Sequence, residues 1–327
     1  MSIFWITLQA VATLLGIGVI GFWIIGQRQM PANALSLLSS IAIDIAIPCL
    51  ILSNLISQFS PQTMPGWWHL PLWWVGFTVI TLALSLVCSR LAKKETRREF
   101  AMSLFYQNGI FFPLVILSGL FFTDSAPYLV QMFLFIFLQA SLVFATYPFF
   151  FRRKKAAPSS GQPRMLVWKR VINPVLVMTI AGLLITLTGI KTYVPEFIVT
   201  ILQMIGAMAI PLFMLILGGN IYNDFVPQAP NGRNLYLGES LKFALVKNLL
   251  FPLVILGLLV WIHPDFKVAL IIILEAAVPP ITAVPLFAER SGGNRAITNM
   301  FVLTSFILSI LSLPVIMYLF SRFFAFP

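Results

Sequence analysis

Two short stretches of the chain place polar groups and prolines inside otherwise apolar runs. Residues 106–113 read Tyr-Gln-Asn-Gly-Ile-Phe-Phe-Pro, and residues 275–282 read Glu-Ala-Ala-Val-Pro-Pro-Ile-Thr. A proline inside a helix removes a backbone hydrogen bond and clashes with the preceding turn. Each stretch therefore predicts a broken helix that starts again, near Leu114 in the first case and near Ile281 in the second.

The start of a helix offers unpaired N–H groups and the positive end of the helix dipole, and together these bind anions such as a carboxylate. We therefore expect an anion site between the two breaks, and an ordinary proline kink is the alternative. The predicted site residues are Asn108, Gly109, Pro113, Leu114, Pro279, Pro280, Ile281 and Thr282.

Two acidic residues, Asp44 and Glu275, fall inside apolar runs. A carboxylate in hydrocarbon is costly, so it usually faces a cavity or a partner and often moves protons or ions. Both residues are therefore candidates for ion or proton coupling. The alternative is structural pairing with a polar neighbour, which for Asp44 means a hydrogen-bonded packing role.

The composition is that of a polytopic membrane protein. Of 327 residues, 59% are hydrophobic and 9% charged, whereas soluble domains carry about 25% charged residues. This excludes a soluble dinucleotide-binding enzyme, a disordered chain and a collagen. Cys49 and Cys88 both lie in apolar runs and cannot form a disulfide framework. No metal-ligand or nucleophile pattern occurs, so we expect no metal site, no cofactor and no enzyme activity.

A membrane-spanning helix needs about 20 apolar residues, and the chain contains ten such segments. They are residues 3–25, 34–55, 67–89, 100–122, 127–150, 171–190, 195–218, 242–262, 266–288 and 297–321. Segments 4 and 9 contain the two predicted breaks. Gly218-Gly219-Asn220 predicts a left-handed cap that ends segment 7.

The basic residues predict the orientation of the segments. Of the 21 Lys and Arg residues, 18 follow odd-numbered segments, with Lys247 counted among them. Because cytoplasmic loops are enriched in Lys and Arg, both termini are expected outside the cytoplasm. The net charge of +11 then reflects insertion into a lipid bilayer and needs no nucleic acid. Short loops and the absence of a targeting signal favour a bacterial inner membrane.

The polar stretch 152–170 divides the segments into five and five. This predicts a first repeat at 1–151, a basic cytoplasmic linker at 152–170 and a second repeat at 171–327. With an odd number of helices in each half, related halves must insert in opposite orientations, as in many secondary transporters. Ala46-Ile47-Pro48 and Ala209-Ile210-Pro211 occupy equivalent positions in the halves. The expected fold is thus all-α, with two inverted five-helix repeats whose broken helices 4 and 9 cross.

Several short motifs occur along the chain in a definite order. They are Ala209-Ile210-Pro211-Leu212 running to Leu217-Gly218-Gly219, Lys247 followed by Pro252, Ala276 to Pro280 with Ser291-Gly292-Gly293 beyond it, and Thr304-Ser305 through Leu313-Pro314. In order and spacing these motifs resemble the auxin efflux carrier family of membrane transporters, over most of the chain and most strongly over residues 205–315. In this family the fourth segment usually has an Asn followed by the pattern Gly-x-x-Gly-x-Pro, and segment 4 of this chain departs from it. Asn108 stands at its first glycine position and Phe111 at its second, which indicates an altered pocket shape.

The resemblance implies a fold of the bile-acid-symporter type. Helices 1, 2, 6 and 7 would form a scaffold and a homodimer surface, and helices 3–5 and 8–10 a moving core. It also implies small organic anions as substrates, such as indole-3-acetate or dicarboxylates.

The sequence hypothesis is a secondary active transporter that exports or exchanges a small carboxylate by an elevator-like alternating-access mechanism, with proton coupling at Glu275. Two alternatives stay open. One is a Na⁺-coupled symporter of another small solute, and the other is a membrane receptor that binds a ligand without moving it.

Overall fold

The computed structural model describes residues 3–27, 34–121, 125–151, 174–225 and 236–326. Within these ranges the chain is helical, and extended backbone pairing is limited to one bridge between Gln107 and Pro280. The predicted linker 152–170 lies outside the described residues. The α-helices are Ile3–Gly26, Ala34–Ile41, Ile47–Gln58, His69–Cys88, Arg97–Phe105, Phe111–Leu120, Ala126–Ile136, Gln139–Thr146, Pro174–Leu187, Glu196–Ala207, Ala209–Phe225, Leu237–Leu245, Phe251–Ile262, Phe266–Ala277, Val284–Arg290 and Arg295–Phe323.

Seven of the described helical stretches are long and apolar enough to cross a membrane. Large apolar side chains are exposed along them, such as Val79 at 63% and Leu311 at 60%. Such side chains are costly in water but suit a lipid environment. The prediction of a multi-pass membrane protein is thereby confirmed. Two further apolar helices, Phe111–Leu120 and Pro174–Leu187, are shorter.

Both predicted breaks are present, although each second helix starts three residues away from its expected position. The fourth segment stops at Phe105 and resumes at Phe111, ahead of Leu114. The ninth stops at Ala277 and resumes at Val284, beyond Ile281. Proline explains both offsets, because it needs no N–H partner and is favoured in the first turn of a helix, where Pro113 and Pro285 lie.

Other prolines change the helices by one turn. A π-helical turn, Ala42–Ala46, precedes Pro48, and another, Val246–Leu250, precedes Pro252. Proline cannot donate to the carbonyl four residues earlier, so the preceding turn widens instead of ending the helix. The helix before Pro211 is interrupted at Met208. The Ala-Ile-Pro motifs of the two halves thus mark local interruptions in both.

The helices Ile3–Gly26 and Ala209–Phe225 pack together through glycines. A Cβ at Gly218 would collide with the Gly18 carbonyl oxygen, and one at Gly21 would lie 2.7 Å from Leu215 Cα. The predicted cap at Gly218-Gly219-Asn220 is wrong, because the helix continues to Phe225. Because glycine has no side chain, the two backbones can approach closely here, which is the common role of small residues in membrane helices.

Gly21→Val should therefore destabilise the protein, by about 1–3 kcal/mol or more, since an overpacked interface forces backbone shifts. Gly16 lies in the same helix and has open space where a Cβ would point. Gly16→Val is thus the matched control. Thermal unfolding of both variants in detergent checks this expectation, and equal midpoints would contradict the close packing.

Candidate functional site

The two helix breaks meet and pair through their backbones. The Asn108 N–H donates to the Pro279 carbonyl oxygen, with 2.9 Å from N to O. The Ile281 N–H donates to the Tyr106 carbonyl oxygen at the same distance. These bonds satisfy backbone groups that the breaks remove from their helices. We call the segments 106–110 and 278–283 the crossover.

Gly109 lets the Glu275 carboxylate approach the crossover backbone. A Cβ at Gly109 would collide with Glu275 Oε2 and would lie 2.6 Å from both Glu275 Oε1 and Gln139 Oε1. Only a residue without a side chain fits here. Glu275 is 1% exposed, so its carboxylate is enclosed by protein. The predicted residues Asn108, Gly109, Glu275 and Pro279 are therefore brought together.

Gln139 is a site residue that the sequence reasoning missed. Its Nε2 donates to the Gln107 carbonyl oxygen at 3.2 Å, which ties the fifth segment to the crossover. The helices Ala126–Ile136 and Gln139–Thr146 are separated by a short turn, and Gln139 begins the second of them. The available signal was an amide in the middle of an apolar run, Phe135-Ile136-Phe137-Leu138-Gln139.

Three side-chain oxygens of residues in or against the crossover are buried without a hydrogen-bond donor among the described residues. They are Gln107 Oε1, Gln139 Oε1 and Glu275 Oε1. Buried acceptors are normally paired, so a group of unpaired ones needs an explanation. Oxygen acceptors beside a carboxylate are suited to a proton on the acid or to a hard cation.

Lys247 is a second site residue that the sequence reasoning missed, and its position corrects the count of cytoplasmic basic residues. The sequence counted it with the cytoplasmic loops, but it is fully buried in the π-helical turn of the stretch Leu237–Ile262. Its Nζ donates to the Ala276 carbonyl oxygen at 2.9 Å, just before the break. It also lies 4.8 Å from the Phe251 ring centre and attracts Glu275 electrostatically. The helix begins five residues earlier than predicted, which moves Lys247 from its edge into its interior.

The unpaired N–H groups of the first break belong to Ile110, Phe111 and Phe112, for which no acceptor occurs among the described residues. The predicted donor Leu114 is wrong, because its N–H bonds to the Ile110 carbonyl oxygen at 3.1 Å. Pro113 has no N–H and lies buried in the same first turn. The unpaired N–H groups at the start of this helix thus belong to the residues just before Pro113.

The side chain of Asn108 is buried and makes no hydrogen bond within the described part of the chain. Its amide is therefore free to bind a ligand. On the other segment Pro280 is buried, whereas Ile281 and Thr282 are half-buried and mark the more open face of the crossover.

Phe111 fills space beside the crossover. Its ring stacks on Phe213 of the helix Ala209–Phe225, with 3.7 Å between ring centres. This is the position at which the family pattern has glycine. At this position the structure has an aromatic contact between the start of the helix Phe111–Leu120 and the helix Ala209–Phe225, and the altered pocket shape stays a prediction.

Asp44 is not part of this arrangement. It lies in the π-helical turn Ala42–Ala46, and its side chain is exposed on the surface of the protein. Among the acidic residues inside the predicted segments, only Glu275 contacts the crossover in the described structure. A coupling role for Asp44 stays a prediction without structural support.

A helical membrane protein with two broken helices that pair at their breaks has an architecture typical of membrane transporters. Residues 6–317 match the family model described as Membrane transport protein. The chain belongs to this family, which is the auxin efflux carrier family, so the resemblance found in the sequence is confirmed. It is a family of membrane transporters. A comparison with curated proteins gave no match.

Lys247→Met should destabilise the protein by about 1–3 kcal/mol, because it leaves the buried Ala276 carbonyl oxygen without its donor and removes the positive charge that interacts with Glu275. The double variant Lys247→Met with Glu275→Gln should recover a large part of this loss. Thermal unfolding midpoints measure both effects.

Lys242→Met is the control on the same helical stretch. Lys242 pairs with Glu239 at 2.8 Å, but the Lys242 side chain is 40% exposed. The buried Glu239 carboxylate also accepts from the Lys93 N–H and the Thr96 hydroxyl, so it keeps partners when Lys242 is removed and the loss should be smaller than in Lys247→Met. A double variant no more stable than Lys247→Met would contradict charge compensation between Lys247 and Glu275.

Proposed function

We propose that this protein carries a small organic anion, a carboxylate, across the membrane by alternating access, with the crossover as its binding site. The observation that carries the proposal is that the buried Asn108 side chain makes no hydrogen bond among the described residues and is followed, two to four residues later, by backbone N–H groups without an acceptor there, those of Ile110, Phe111 and Phe112. Amide donors and a helix N-terminus together suit an anion. Because the chain belongs to a transporter family, we favour transport of that anion over a receptor that binds it without moving it.

The proposed topology has ten transmembrane helices in two inverted five-helix repeats, residues 1–151 and 171–327. In support, the breaks fall in the fourth and ninth segments, which are the fourth of each half. The basic residues support termini outside the cytoplasm of a bacterial inner membrane. In the proposed elevator-like motion, the crossover moves against a scaffold that includes Ile3–Gly26 and Ala209–Phe225. This scaffold is also the proposed homodimer surface.

The charges at the crossover suit a proton-coupled carrier. Lys247 offsets the Glu275 carboxylate, so an anionic substrate next to Gly109 does not meet an uncompensated negative charge. When Glu275 is protonated, Lys247 leaves a net positive charge that attracts the substrate. Proton uptake and anion binding would then favour each other, which is reciprocal coupling between two sites.

Sodium coupling is the second candidate, and the unpaired oxygens of Gln107, Gln139 and Glu275 favour it. These oxygens offer the hard ligands that a small cation needs. Lys247 argues against it, because a fixed positive charge near Glu275 competes with a second cation. Sodium-dependent uptake of a solute would separate this candidate from the proton-coupled carrier.

Counterflow in proteoliposomes tests the proposed function. Labelled indole-3-acetate, malonate and malate are compared with neutral and cationic solutes. We expect accumulation of carboxylates alone, and about a tenfold weaker apparent affinity in Asn108→Ala, because a hydrogen bond to a charged group contributes roughly 1.5 kcal/mol or more.

Asn54→Ala is the control for this experiment, since Asn54 is an amide in another membrane helix and bonds to the Leu50 carbonyl oxygen. Unchanged affinity in Asn108→Ala would remove Asn108 from the site. Accumulation of cations or neutral solutes in place of carboxylates would contradict an anion carrier.

Glu275→Gln should abolish the pH dependence of transport while leaving substrate exchange intact, because glutamine keeps the shape of the side chain but cannot exchange a proton. The measurement is the initial counterflow rate between about pH 5 and 8, a range over which the side chain would have to titrate. Glu289→Gln is the control, since Glu289 is exposed and pairs with Arg295 at 2.8 Å. A pH dependence that persists in Glu275→Gln would rule out proton coupling at this residue.

A further inference from the structure

A groove of about 720 Å³ runs along the outside of the protein and is lined by no residue of the crossover itself. Its walls come from the helix His69–Cys88, the helix Arg97–Phe105 and the chain between Leu142 and Phe150. Much of this wall is apolar and exposed, for example Val79 at 63%, Leu86 at 52% and Phe149 at 57%. In a membrane protein such a wall faces hydrocarbon.

The groove has the length of one lipid leaflet. On the helix His69–Cys88 and the turn that follows it, the lining extends from Trp74 to Ser89. At 1.5 Å per residue this is about 22 Å. Half of a bilayer, including its headgroup layer, is about 20–22 Å thick. A single lipid molecule with its headgroup therefore fits along the groove, whereas a free phosphate ion would leave the apolar walls uncovered.

Two arginines lie at one end of the groove. Arg97 and Arg98 both line it, and neither makes an ion pair within the described residues. Arg97 Nε is buried and has no hydrogen-bond acceptor among the described residues. The nearest acid on the same helix, Glu99, is buried and accepts a hydrogen bond from the Asn294 N–H at 2.9 Å. Unpaired guanidinium donors at the end of an apolar groove match a phosphate headgroup with acyl chains beyond it.

We propose that this groove is a specific site for one anionic phospholipid. Its headgroup contacts Arg97 and Arg98, and an acyl chain lies along Thr78, Val79 and Leu82. The two arginines lie on the same side as the basic loop between the third and fourth segments, so the lipid belongs to the leaflet on that side.

The lipid site is connected to the crossover through Tyr106. Thr146, Phe105 and Phe150 line the groove. Tyr106 hydrogen-bonds to Thr146 through its hydroxyl at 2.7 Å, and its ring centre lies 5.0 Å from that of Phe105 and 5.5 Å from that of Phe150. The same residue accepts the Ile281 N–H at the crossover. A bound lipid therefore packs against the residues that hold one side of the crossover.

Native mass spectrometry of the detergent-solubilised protein tests the site with three probes: phosphatidylglycerol, phosphatidylcholine and glycerol 1-phosphate. The wild type should retain one molecule of phosphatidylglycerol, and neither of the other two. Arg97→Gln with Arg98→Gln should weaken this binding about 25-fold, since each basic residue near an anionic lipid is worth roughly a factor of five.

The matched control is Lys94→Gln with Arg290→Gln, which removes the same charge from two exposed residues outside the groove. It should bind phosphatidylglycerol like the wild type. Equal retention in the two double variants, or equal binding of phosphatidylcholine by the wild type, would overturn the proposal. Binding of glycerol 1-phosphate as tight as that of the lipid would show an anion site without a role for the groove.

A second variant tests the groove itself. Thr78→Trp places a large side chain in the path of the acyl chain and should abolish lipid retention with both arginines present. Val87→Trp adds the same side chain at an exposed position of the same helix that does not line the groove. If Thr78→Trp is folded by its unfolding midpoint and still retains the lipid, the chain does not occupy the groove.

Discussion

The structure depends on one constraint: backbone groups within a membrane must find hydrogen-bond partners inside the protein. Prolines and glycine break two helices at the same place, and each break releases carbonyl and N–H groups. The pairing of Asn108 with Pro279 and of Ile281 with Tyr106 satisfies part of them. Gln139 and Lys247 satisfy the carbonyls of Gln107 and Ala276. Among the described residues, N–H groups without a partner remain at the start of both resumed helices, those of Ile110, Phe111 and Phe112 before Pro113 and those of Thr282 and Ala283 before Pro285.

The same constraint explains why charged groups occur here. A Lys side chain in the protein interior is costly unless it has partners, and Lys247 finds them in the Ala276 carbonyl oxygen and in Glu275. The acid lies directly before the break, against Gly109, where a larger residue would not fit. The same residues thus serve the fold and the site: Lys247 gives a hydrogen-bond donor to a carbonyl oxygen next to the break, and together with Glu275 it places ionisable groups at the site.

Much of this was predictable from the sequence, for definite physical reasons. Proline disturbs a helix locally, so Pro113 and Pro279 indicate where breaks can form. Pro48 and Pro252 widen one turn without a break, and it is the polar residues near Pro113 and Pro279 that set the two breaks apart in the sequence. The partners that complete the breaks are non-local. Nothing near Gln139 or Lys247 in the sequence indicates that either reaches the crossover, and Lys247 resembled a loop residue because helix edges are poorly defined by hydropathy. Gly218 suggested a helix cap because glycine is common there. Its actual role, close backbone packing against the helix Ile3–Gly26, depends on a distant segment and is visible only in the structure.

The stack of Phe111 on Phe213 has an energetic consequence for a moving crossover. Aromatic pairs contribute about 0.5–1.5 kcal/mol beyond the area they bury. If the crossover shifts relative to the helix Ala209–Phe225, these rings must separate before any new contact forms. The contact then acts as a small energy barrier that holds the empty carrier in one state, and glycine in place of Phe111 would provide no such barrier. Transport rate and leakiness would therefore be set partly by this pair, independently of how tightly the substrate binds.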